Sequence, residues 1–270
     1  MTDLWLILAI FIFGCFIGSF LNVLIWRLPQ GQKPTGRSHC PHCKHVLQAK
    51  DLAPVLSFII ARGRCAYCAK KISWRYPLME LLTGALFAVS WIILFPVWVP
   101  NVLSIVLGVK MLLVVAVLIV VFAIDYEHYL ILDVVVLPAA IAIAIFSLGL
   151  DIHAGSLFTL RSLLLNSIAG AVAGFLPFYI LWLVSKGTWI GLGDAKYGLF
   201  LGAVFGFPMV WLAYVLASLL GTVFSIPLLL TGKKYLSSKL PLGTFLSLGA
   251  LVVLWFGGSL FAWYVGLLGY

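Results

Sequence analysis

Apolar runs long enough to cross a bilayer follow one another along most of this chain, and that leaves few folds open to it. A helix needs about 20 apolar residues to cross the hydrocarbon core, and inside lipid its backbone polar groups must be satisfied internally. Leu4 to Trp26 is the first such run. Pro77 to Phe95, Val102 to Ile124, Leu130 to Leu150, Leu160 to Val184, Met209 to Leu230 and Leu242 to Gly266 are further ones, and a short run after Asp194 ends near Gly206-Phe207-Pro208. Charged residues make up 9% of the chain, against about 25% in soluble domains. The chain therefore reads as an all-α polytopic membrane protein with about eight transmembrane helices. Its first apolar run is followed rather than preceded by basic residues, so it reads as a span and not as a cleavable signal peptide.

The formal charge of +9 is unevenly placed: ten of the 17 Lys and Arg lie between Arg27 and Arg75. Such clustering marks the cytoplasmic side of a membrane protein. The N-terminus is then expected outside, and alternating spans put Lys186, Lys196 and the Lys233 to Lys239 group inside and the C-terminus outside. Only Arg161, near a helix end, falls on the outer side. Anionic headgroups, not nucleic acid, are the partner this charge suits. The expected division is a first helix, 1–26, a cytoplasmic segment, 27–76, and a transmembrane domain, 77–270. Gly14, Gly18 and Ser19 would let a second helix approach the first closely. Asn22 is expected to hydrogen-bond a neighbouring helix. Lys110, inside the third span, is expected to snorkel or to face the bundle.

Cys40-Pro41-His42-Cys43 and Cys65-Ala66-Tyr67-Cys68 form two CxxC pairs with 21 residues between them. Each pair can supply two thiolates from a tight turn to a tetrahedral zinc ion. A reducing cytosol disfavours a lasting disulfide, so structural zinc is expected ahead of a dithiol redox site. The segment has too few apolar residues for a large core, and the metal would supply its folding energy. His39, His42 and His45 crowd the first pair, but four thiolates complete the shell. Cys15, within the first span, reads as packing.

The chain holds only eight acids. Asp3, Asp51 and Asp151 sit in or beside polar loops and read as solvated. The span order brings Asp125, at the inner end of the third span, and Asp194, at the inner start of the sixth, to one face and a similar depth. Glu127, His128 and Asp133 share that neighbourhood. Ionisable groups at membrane depth are functional by default. Two close carboxyls share a proton, so one can act as base toward water and the other as acid toward a carbonyl. Gly191 and Gly193 are expected to give the backbone before Asp194 unusual dihedrals and close access to a substrate strand. Other readings of the same residues stand beside this one. Asp194 could cap a helix, Asp133 could cap one or pair with a lysine, and a proton-coupled transporter would use similar acids.

Five stretches taken together resemble the type IV prepilin peptidases, membrane aspartic proteases of the GxGD type. They are Gly18-Ser19-Phe20-Leu21-Asn22-Val23 followed by Arg27-Leu28-Pro29; the two CxxC pairs with Arg62-Gly63-Arg64-Cys65; Ser73 to Gly84; Ile124-Asp125 followed by Leu132-Asp133; and Gly191-Leu192-Gly193-Asp194-Ala195-Lys196. The resemblance covers nearly the whole chain. It implies an inner-membrane enzyme of bacteria whose catalytic pair is Asp125 and Asp194, with Gly191, Gly193, Asp133 and Lys196 as neighbours and the active site at the cytoplasmic face. It implies removal of the basic leader of prepilins and pseudopilins of type IV pili and type II secretion, after a glycine. It also implies N-methylation of the new terminus by S-adenosylmethionine. No glycine fingerprint for that cofactor occurs, so methylation rests on the resemblance alone; Glu80 is a candidate polar contact. Many members carry proline where this chain has Leu132, a position without chemistry of its own.

Overall fold

The computed structural model describes residues 4–99, 101–157, 159, 162–231 and 240–267. Asp3, Arg161 and the Lys233 to Lys239 group lie outside them. All regular structure among the described residues is helical, in two compact units, Met1–Pro100 and Asn101–Tyr270.

The first unit holds α1 (Leu4–Arg27), the short α2 (Leu56–Ile60) and α3 (Arg75–Leu94). Helices α1 and α3 meet through their smallest residues. A Cβ placed on Gly14 would lie 2.7 Å from the Gly84 Cα, one on Gly18 2.8 Å from the Glu80 Cα, and one on Gly84 2.7 Å from the Cys15 sulfur. Backbones this close make van der Waals contact along several turns, which is how helices associate where lipid removes the hydrophobic driving force. Asn22, buried at the same interface, donates to the Tyr76 carbonyl at 3.2 Å.

The second unit holds α4 (Val102–His128), α5 (Asp133–Ala154), α6 (Leu163–Ser185), α7 (Leu192–Phe205), α8 (Met209–Leu230) and α9 (Leu242–Leu267). Seven helices in the described chain are long and apolar enough to cross a membrane. The expected sixth span is shorter than that: α7 has 14 residues, about 21 Å at 1.5 Å per residue. It also begins before Asp194 rather than after it. Around α7 the chain builds its core from Val114, Leu118, Ile143, Tyr197, Phe200, Leu201 and Leu246. Gly170 and Gly174 of α6 face Gly202 and Gly198 of α7 so closely that a Cβ on any of the four would collide with the opposite backbone. Two small-xxx-small patterns thus clamp the short helix.

Asp151 corrects a sequence expectation. It is fully buried, at the end of α5, where it accepts bonds from the Ser156 and Ser162 hydroxyls at 2.8 and 2.7 Å and from the Leu163 and Leu164 N–H groups at 2.8 Å each. The first N–H groups of a helix have no partner inside it, and this carboxylate supplies one for α6 from a neighbouring helix. Sequence places Asp151 beside a polar loop but does not say that the loop folds back over it. Asp151→Ala strands four donors at once, and the thermal midpoint of unfolding is expected to fall by roughly 5–10 °C.

Candidate active site

Asp125 lies in the last turn but one of α4, buried. The helix stops four residues on, where Tyr129 turns left-handed (φ 55°) and its N–H donates to the Asp125 carbonyl at 2.9 Å. The Asp125 Oδ2 accepts from the Thr244 N–H at 2.7 Å and from the Thr244 hydroxyl at 3.1 Å. Thr244 is in the first turn of α9, whose unpaired N–H groups favour a carboxylate. A side chain at Gly243 would crowd the carboxylate, because its Cβ would fall 3.1 Å from that same oxygen.

Asp194 lies in the first turn of α7, half-buried, and its Oδ2 accepts from the Gly191 N–H at 3.1 Å. The capping reading of this residue is therefore part of the truth: it serves the helix start from inside the helix. Gly191 and Gly193 do not take the expected unusual dihedrals. Gly191 is extended (φ −77°, ψ 149°), and neither glycine is among those with positive φ. What Gly193 provides is room, since its Cβ would lie 3.0 Å from the Ile131 Cβ.

Ile131 connects the two acids. The link from α4 to α5 passes over Gly193 on the Asp194 side, and the Ile131 Cδ1 stands 2.9 Å from where a Gly243 Cβ would be, on the Asp125 side. Ile131 thus borders both the start of α7 that carries Asp194 and the Gly243 position that lies against the Asp125 carboxyl. One turn deeper, the Tyr197 hydroxyl and the Ser247 Oγ are 2.7 Å apart in a fully buried bond, and Ser247 also donates to the Gly243 carbonyl at 2.7 Å. Tyr197 is one turn from Asp194 and Ser247 one turn from Thr244, so this bond ties α7 to α9 directly beneath the pair. Asp133, at the exposed start of α5, pairs with Lys196 of α7 at 2.5 Å. Glu127 and His128 lie 3.8 Å apart at the end of α4. The sequence reading missed Gly243, Thr244, Tyr197 and Ser247. A proline and a glycine around a helix start, Pro241-Leu242-Gly243-Thr244, were the available signal.

In the first unit the four knuckle cysteines converge. The sulfurs of Cys40, Cys43, Cys65 and Cys68 all lie within 4.8 Å of one another, with Cys40 and Cys68 3.9 Å apart. Zn–S bonds of about 2.3 Å in a tetrahedron require sulfurs about 3.8 Å apart, so the donor set fits such an ion. The two knuckles repeat one turn. Cys40 and Cys65 each donate to the carbonyl five residues on, His45 and Lys70, and accept from Lys44 and Ala69, which are both left-handed (φ 60° and 56°). Burial opposes ionisation of Cys40, but backbone N–H groups of Cys43 and His42 outweigh it and bring the thiol down to about 7. At Cys68 the Lys70 N–H favours the thiolate, yet burial and the three neighbouring sulfurs prevail and push it up to about 11. Four thiolates this close need a cation among them. His45 takes another role: it stacks on Tyr67 with ring centres 3.6 Å apart, and Tyr67 donates to Asp51 at 2.8 Å. Glu80, the candidate cofactor contact, is buried, accepts from the Val55 N–H at 2.7 Å and hydrogen-bonds Ser19.

Comparison with known proteins covers both units. Residues 12–94 match the family model of the Bacterial Peptidase A24 N-terminal domain, and residues 112–226 that of the Type IV leader peptidase family. The chain is 31% identical to the prepilin leader peptidase/N-methyltransferase of Aeromonas salmonicida strain A449, over 97% of this chain and 94% of the relative. The protein of the same name from Stutzerimonas stutzeri is 32% identical over 96% and 93%, and that from Dickeya chrysanthemi 34% over 80% of each. No solved structure matches the chain.

Proposed function

Since the chain belongs to the type IV leader peptidase family, matched along nearly its whole length, we propose that it is a prepilin peptidase of the bacterial inner membrane whose catalytic pair is Asp125 and Asp194. One carboxyl takes a proton from water as the water oxygen attacks the scissile carbonyl. The other, protonated, gives its proton to the carbonyl oxygen. The tetrahedral product then breaks its C–N bond as the leaving amine regains a proton, and the pair returns to its starting state. Neither a metal nor a nucleophilic side chain is needed, in keeping with the roles of paired carboxyls elsewhere. The observation that carries this reading is the meeting of two acids, 69 residues apart in sequence, around Ile131.

The substrates in this reading are prepilins and pseudopilins, cut after a glycine on the cytoplasmic face. Such a substrate has a basic leader in the cytoplasm and an apolar helix in the bilayer, so its scissile bond lies at headgroup level, where water is at hand. Both termini of the enzyme are outside, and the cysteine segment is inside. Thr244 holds the Asp125 carboxylate in one orientation, and the Tyr197–Ser247 bond ties α7, which carries Asp194, to α9, which carries Thr244. Asp133 and Lys196 fix the start of α5 against α7 without entering the chemistry. The four cysteines would hold zinc, which supplies structure to the segment and no reactive group.

The relatives' names support a second activity, transfer of a methyl group from S-adenosylmethionine to the newly exposed amine. Glu80, which accepts from the Val55 N–H and hydrogen-bonds Ser19, stays the candidate polar contact for that cofactor, since a carboxylate offers about four acceptor sites. Incubating the purified protein with a prepilin peptide, with and without S-adenosylmethionine, tests both activities by mass spectrometry. A leaderless product is expected in both tubes, and a product in which a methyl group has replaced one amine hydrogen only with the cofactor. An uncut peptide would remove the peptidase reading, and an unmethylated product would remove the second activity alone.

A further inference from the structure

Between the two knuckles the chain carries an apolar face that, among the described residues, no other part of the chain covers. Helix α2 presents Leu56, Ile59 and Ile60 at positions i, i+3 and i+4, one side of a helix, and they are 62%, 62% and 81% exposed. Its opposite side holds Phe58, whose ring lies tilted against Trp74 with centroids 4.8 Å apart and packs on Gly63. The exposed triplet is therefore presented by a loop whose other side is already packed.

The position of this loop follows from Glu80. That residue is five positions into α3, about 7.5 Å along its axis, and its backbone faces Gly18 of α1, nine residues before the end of that helix. The Val55 N–H reaches the Glu80 carboxylate at 2.7 Å, so the start of α2 lies beside the second turn of α3 and not beyond its end. Val55 has φ 61°, a conformation that is an outlier for a β-branched residue. Pro54 before it is buried. A strained residue bonded to a buried carboxylate persists only where its surroundings hold it there.

We propose that residues 52–61 form a shallow re-entrant loop whose Leu56, Ile59 and Ile60 face rests in the acyl region of the leaflet on the cysteine side, with Glu80 as its anchor. Charge and aromatic placement argue for lipid as the occupant. Lys50, Arg62 and Arg64 flank the apolar stretch and are exposed, placed to reach phosphates as long basic side chains do at membrane surfaces. Trp26 at the end of α1 and Trp74 at the start of α3 are half or more exposed, at the level where tryptophans mark the membrane interface. The spans on either side of the segment hold it at that surface, which adds anchoring without a further helix. The knuckles and their metal would then lie against the bilayer rather than stand away from it. The inference rests on reading α1 and α3 as spans.

The test uses the full chain in lipid nanodiscs of phosphatidylethanolamine and phosphatidylglycerol, with a photo-crosslinking amino acid at Ile60 or, in a separate sample, at Phe13 on the exposed side of α1. Lipid adducts detected by mass spectrometry are expected at both positions in similar yield. An adduct at Phe13 with none at Ile60 would overturn the loop and leave the spans standing. An Ile60 adduct to a protein segment in place of lipid would overturn it equally. Adding Glu80→Ala to the Ile60 sample should lower the lipid adduct several-fold; an unchanged yield would overturn the anchoring role given to Glu80.

Discussion

Asp125→Asn and Asp194→Asn are each expected to lower prepilin cleavage by about 10²–10⁴-fold while the protein inserts and folds as before. The amide is the informative replacement because it separates the two readings of these acids. At 125, an asparagine oxygen still accepts from the Thr244 N–H and hydroxyl, which now bind Asp125 at 2.7 and 3.1 Å. At 194 it still accepts from Gly191, so the start of α7 stays closed. What the amide cannot do is take a proton from water or give one to a carbonyl oxygen. If the acids only cap helices, both variants keep nearly full activity, and the catalytic pair must be abandoned. Cleavage rate against thermal midpoint, measured on the same preparations, separates the outcomes.

Loss of one knuckle sulfur should be equally severe but confined to the other unit. Structural zinc binds comparable thiolate sites with about 10–16 kcal/mol, more than a segment with so small an apolar core could replace. Elemental analysis is expected to find about one zinc per chain in the parent protein and none in Cys40→Ser. Amide exchange in Cys40→Ser should rise through residues 39–72, where both knuckle turns depend on sulfurs meeting within 4.8 Å. Helices α4 to α9 should keep their protection, because their core is built from their own residues. A metal-free parent protein with a protected knuckle segment would exclude coordination.

Much of this protein was legible in the amino-acid sequence, and for a simple reason. A bilayer demands about 20 apolar residues per crossing, so the spans are written as uninterrupted runs, and only α7, too short to cross, blurs that record. The cysteine cluster was legible for a similar reason: a CxxC turn brings its two sulfurs together locally, and only the meeting of the two pairs is a tertiary event. Gly14 and Gly18 announced a close helix contact, and the backbone of α3 is what they meet.

Long-range partners were not legible, because a side chain's role depends on what folding brings beside it. Asp151 looked like a loop acid until the start of α6 came to lie over it. Thr244 and Gly243 are ordinary residues at a helix start, and they matter because α9 delivers them to Asp125 from 119 residues away. The same holds for the Tyr197–Ser247 bond, formed across 50 residues. Sequence by itself determined a membrane bundle with two scarce acids and a four-thiol knuckle, since hydropathy and local turns obey short-range rules. The tertiary structure alone decided which groups hold those acids in place, because hydrogen bonds between helices in lipid depend on packing that no single stretch of chain encodes.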